Sequence, residues 1–209
     1  AWLVSLGGVA TAAAVAIAPL GGRATFPTLY VVLLGVATLW LGYVLDWHGL
    51  RWPLALAADL LVAVATLRAV APGAGEGAGA AFFVQAALML LYLGSVAART
   101  LGLGRRVVPF EIVQTAAVLA VGLGGAAYVA ARTGSGSGAF GLVSVAAGLA
   151  AYGVAFVFVE RRQQGSANFT FYTSAAILMV LAGTALVLSG PALPLAWAAL
   201  AVVSAALAR

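Results

Sequence analysis

The sequence predicts an all-α fold, a polytopic membrane bundle of about eight transmembrane helices. Three observations predict it. Of 209 residues, 65% are hydrophobic and 7% are charged, with a mean hydropathy of +1.14, well outside the composition of a water-soluble domain. The apolar residues fall into runs close to the ~20 needed to cross a bilayer, and no run has a polar face along its whole length. The arginines gather at alternate links between those runs, as insertion requires.

The elements follow from where charge, Pro and Gly interrupt the apolar pattern. A run over 2–19 stops at Gly21-Gly22-Arg23, and one over 27–45 stops at Asp46-Trp47-His48-Gly49. Arg51 opens the run 52–71, which the breaker string Pro72-Gly73-Ala74-Gly75-Glu76-Gly77 closes. The run 79–98 stops at Arg99, and Pro109 opens 108–130, which the Gly- and Ser-rich stretch after Arg132 ends. The run 139–159 ends at Glu160-Arg161-Arg162, 168–189 ends at Gly190-Pro191, and 192–208 ends at Arg209. Links this short hold no soluble domain and make consecutive helices antiparallel neighbours, so residues 1–209 read as one transmembrane domain. The abrupt ends, without an initiating Met or a basic leader, predict a region of a longer polypeptide.

All ten basic residues are Arg. Arg51, Arg99, Arg105, Arg106, Arg161, Arg162 and Arg209 fall on one side of the alternating topology, against Arg23, Arg68 and Arg132 on the other. Positive charge is retained in the cytoplasm, so both termini are expected there, with the chain in the cell membrane. The net charge of +5 forms no basic stripe, which excludes a nucleic-acid surface. The expected partners are the lipid bilayer and other membrane subunits or domains of the same longer chain.

A repeat is suggested by Pro109-Phe110-Glu111-Ile112-Val113-Gln114-Thr115-Ala116-Ala117 against Asn168-Phe169-Thr170-Phe171-Tyr172-Thr173-Ser174-Ala175-Ala176. Copies at the starts of odd-numbered runs would be parallel two-helix hairpins.

Chemistry is sparse. With no Cys and a single His, His48, no metal site and no cofactor are expected. His48 lies between Trp47 and Trp52 and reads as an interfacial anchor. The Gly-rich strings follow no strand and read as turns. No nucleophile stands with a base, so catalysis is not expected. Asp59 is the costly residue, about 10 Å into its helix, where an ionised carboxylate needs a partner or a proton. Glu111 and Gln114 share a helix face three residues apart. With Asn168, Tyr172 and Ser174 they define a candidate intramembrane polar site in the cytoplasmic half. Gln85 reads as an interhelical hydrogen bond, and stripes such as Gly122-Ala126-Ala130 and Ser144-Gly148-Tyr152 predict close helix packing. Three functions stay open: a membrane-embedded sensor or anchor module of a larger bacterial protein, a small-solute, ion or lipid transporter using an intramembrane carboxylate, and a membrane scaffold or assembly subunit.

Overall fold

A computed structural model of the chain describes residues 25–45, 48–71, 77–134, 137–160 and 166–207, with residues 7, 9 and 10. Among the described residues every regular element is helical. α1 is Thr25–Leu45, α2 is His48–Ala69 and α3 is Ala78–Ala97, which continues through a π segment, Ala98–Gly102. α4 spans Pro109–Thr133 and contains a π segment at Ala120–Gly124. α5 is Ser137–Val154 with a π continuation Ala155–Glu160. α6 is Ser166–Val187 and α7 is Ala192–Leu207.

The first six are long and apolar enough to cross a membrane, over 19 to 25 residues each. At 1.5 Å per residue these rods measure about 28 to 38 Å, against ~30 Å of bilayer hydrocarbon. The eighth predicted run forms α7, whose 16 residues reach only about 24 Å. The first predicted run lies, apart from residues 7, 9 and 10, outside the described residues. The described residues thus contain six of the eight expected spans.

One boundary differs instructively from expectation. Arg99 was expected to end its helix, yet the chain stays helical to Gly102. The guanidinium finds a carboxylate partner in Glu111 at 2.8 Å, so the charge does not force the helix to stop there.

The chain divides into two compact units, residues 1–135 and 136–209. In the first, α1 lies along α2, α3 packs against both, and α4 packs against α3 and α2. The outer face of α2 is apolar, and its inner face mixes apolar with polar residues. Leu56, Leu60 and Leu67 are all more than half exposed on its outer face, whereas Ala58, Asp59, Val62 and Thr66 are buried on its inner one. An exterior of leucines around an interior with polar groups suits hydrocarbon as solvent.

In the second unit α5 and α6 pack along their length, and α7 touches α6. Glycine permits the approach. A Cβ on Gly141 would stand 2.8 Å from the Gly183 carbonyl oxygen, and one on Gly148 would stand 2.9 Å from that of Ala176. Ser137 Oγ also donates to the Leu186 carbonyl at 3.1 Å. The predicted stripe is thus used at Ser144 and Gly148, while Tyr152 is exposed.

The suggested repeat does not extend to burial. Phe110, Glu111, Gln114 and Thr115 are buried, but none of their aligned counterparts Phe169, Thr170, Thr173 and Ser174 is. α6 instead buries Asn168, Tyr172, Ala175 and Ala176. The two segments share composition and present different faces, so their burial does not support the repeat.

Candidate functional site

The first unit encloses a polar seam whose frame is α3. Gln85, Tyr92 and Arg99 are spaced by seven residues, which keeps them on one helical face about 10 Å apart along the axis. Each meets polar groups from the neighbouring helices, giving three levels.

At one end, three chain segments converge on Glu111. Pro109 occupies the first turn of α4, where its missing N–H costs no hydrogen bond. Glu111 follows two residues later and is fully buried. Its Oε2 accepts the backbone N–H of Val108 at 2.8 Å, satisfying a helix-start donor. Arg99 Nη1 donates to both carboxylate oxygens, at 2.8 and 2.9 Å, and to the Arg106 carbonyl at 3.0 Å. Tyr43 Oη donates to Oε1 at 2.5 Å, and the Arg99 guanidinium lies 4.7 Å above the Tyr43 ring. Beside this cluster the Arg51 guanidinium lies 4.7 Å over the Phe110 ring, against which Trp52 packs edge-on. Glu111 is therefore neutralised and saturated with donors. It ties α1, α3 and α4 together.

The middle level is different in kind. Asp59, midway along α2 and 5% exposed, accepts from Gln114 Nε2 at 3.1 Å through Oδ1 and 3.0 Å through Oδ2. An uncharged amide thus faces both oxygens, and no salt bridge to Asp59 is found among the described residues. The Tyr92 phenol lies within electrostatic range of this carboxylate.

At the third level Gln85 Nε2 donates to Thr66 Oγ1 at 2.8 Å, and that hydroxyl donates to the Val62 carbonyl at 2.8 Å. Gly125 of α4 makes room, since a Cβ there would stand 2.6 Å from Gln85 Nε2.

The expected site residues are distributed accordingly. Asp59 and Gln114 are hydrogen-bonded to each other, and Glu111, one turn from Gln114, is bonded to Arg99 and Tyr43 instead. Asn168 and Tyr172 are buried in the second unit, and Ser174 of that unit is exposed. His48 starts α2, with its side chain outside the description. Sequence reasoning missed Tyr43, Thr66, Tyr92 and Arg99 as parts of the seam. A readable signal existed: polar residues at 85, 92 and 99 repeat every seven positions through an apolar run.

The chain matches no protein-family model, no curated protein and no solved structure.

Proposed function

We propose that this chain is a multi-pass domain of the cell membrane whose first unit takes up and releases a proton at Asp59, coupled to transport across the bilayer. One contrast supports the reading. The seam holds two buried carboxylates, and among the described residues only Glu111 is paired with a cation. An ionised Asp near a helix centre costs about 2.5–3.5 kcal/mol, while a hydrogen bond to a charged group returns about 1.5–3 kcal/mol. The Gln114 amide therefore roughly offsets the cost of the charge without overwhelming it. A group so balanced exchanges a proton reversibly, as a transport site must.

The end bearing Arg51, Arg99, Arg105 and Arg106 is assigned to the cytoplasm by the retention of positive charge. Eight spans with both termini on that side complete the proposed topology. The test is proton flux into liposomes containing the purified chain, driven by a potassium diffusion potential. Wild-type protein is expected to carry flux above that of empty liposomes, and Asp59→Asn to abolish it. Unchanged flux in that variant rejects the site.

The closure of the seam by Arg99, Glu111 and Tyr43 favours a second reading, a sensor that binds the proton without passing it on. Its outcome is an infrared carboxyl band that Asp59→Asn removes, in a protein without flux.

A further inference from the structure

Two buried polar atoms of the seam have no hydrogen-bond partner among the described residues: Tyr92 Oη and Gln85 Oε1. Tyr92 is 2% exposed and Gln85 fully buried. Buried side-chain oxygens are rarely left so, because removing a polar group from water without a replacement partner is unfavourable. The two are seven residues apart on the face of α3 that carries the seam, and both lie on the side of Asp59 away from the Arg99 cluster or level with it.

The bundle is shaped around them. At Gly35 of α1 a Cβ would collide with Tyr92 Oη, and the same position lies 3.6 Å from the Leu54 carbonyl oxygen. At Gly125 a Cβ would press on the Gln85 amide. Glycine at these two places admits the polar ends of long side chains into contact with backbone. The Gly35 position thus has both Tyr92 Oη and the Leu54 carbonyl oxygen beside it, and the Asp59 carboxylate lies within electrostatic range of the phenol. A water molecule there has the polar neighbours it requires. At Gln85 the Thr66 hydroxyl, in the last turns of α2, accepts from Nε2 and gives its own proton to the Val62 carbonyl, so it has none to offer Oε1.

We infer that ordered water bound at Tyr92 and at Gln85 forms a proton access route from Asp59 toward the end of the bundle near Thr66. The route deepens the reading of Asp59 as a proton site and rests on it. It reaches Asp59 from one side only, since Glu111, Arg99 and Tyr43 close the other with a saturated ion-pair cluster. Between the two water sites stand Leu88 and Met89. Met89 packs its sulfur where a Cβ on Gly122 would be, 2.5 Å away. An unbranched thioether can swing aside for water where a branched side chain would not.

The experiment is X-ray hydroxyl-radical footprinting of the purified full chain in detergent, with mass spectrometry. Bound water beside a buried ring raises its labelling rate. Tyr92 is expected to be labelled several-fold faster than Phe110, which is equally buried at 2% and enclosed by Arg51 and Trp52. Gln85→Leu is expected to slow that labelling. A second measurement is the melting temperature of Tyr92→Phe. Deleting a water-bonded hydroxyl leaves it unchanged or lower, whereas deleting a dry, unpartnered one raises it. Labelling of Tyr92 no faster than Phe110, or a raised melting temperature, overturns the route. Neither readout involves Asp59: loss of the water signal while Asp59→Asn still abolishes flux rejects the route alone. Intact flux in Asp59→Asn rejects the site itself.

Discussion

Glu111 and Asp59 lie in the same unit and carry the same chemistry, yet their surroundings assign them opposite work. Removing one member of a buried ion pair strands the other charge and costs about 3–5 kcal/mol. Glu111→Gln is therefore expected to be severely destabilising, since Arg99 at 14% exposure has little access to water. Asp59→Asn keeps an oxygen to accept from Gln114 and removes an unpaired interior charge. Its stability is expected to change by less than about 1 kcal/mol. Thermal unfolding of both variants in detergent, followed by circular dichroism, separates them, and equal losses would contradict the assignment. From the sequence, both residues stood out because any carboxylate in an apolar run is costly. Which one is neutralised was not readable, because Arg99 lies twelve positions from Glu111 across a turn that no helical periodicity spans.

Helix approach sets the next scale. Gly183 and Gly125 both sit where a Cβ would meet an atom closer than 3 Å, but the atoms differ. At Gly183 two of the neighbours are backbone, the Gly141 carbonyl at 2.8 Å and the Val145 nitrogen at 2.9 Å, with the branched Val145 side chain beside them. At Gly125 the first neighbour is the end of a flexible amide. Overpacking costs about 1–3 kcal/mol where nothing can yield. Gly183→Ala is expected to lose that much through separation of α5 from α6, and Gly125→Ala clearly less, because Gln85 can turn away. Melting temperatures measured side by side decide it. The small-residue stripes of the sequence announced close packing on α4 and α5. They did not single out Gly141 and Gly183, because a stripe shows which face is small and not which backbone lies opposite.

For the whole molecule, the placement of charge makes a topological prediction that the absence of Cys makes simple to check. Leu103 follows α3 and is well exposed, and Ala131 lies exposed in the last turns of α4. Cysteine at each position should react with a membrane-impermeant maleimide from opposite sides: Leu103→Cys only after the cells are opened, and Ala131→Cys in intact spheroplasts. Labelling of both from one side would overturn the orientation.

Composition and run length alone determined the helical class, the places where the described helices begin and end to within a few residues, and the costliness of Asp59. Those properties depend on the solvent and on neighbours in the chain, so a linear pattern carries them. The tertiary structure decided the partners. It separated Glu111 from Asp59, drew Tyr43, Tyr92, Gln85 and Thr66 into one seam, and placed Asn168, Tyr172 and Ser174 in a unit of their own. Hydrogen bonds between helices depend on rotation and register about each axis, and those are set only when the helices pack.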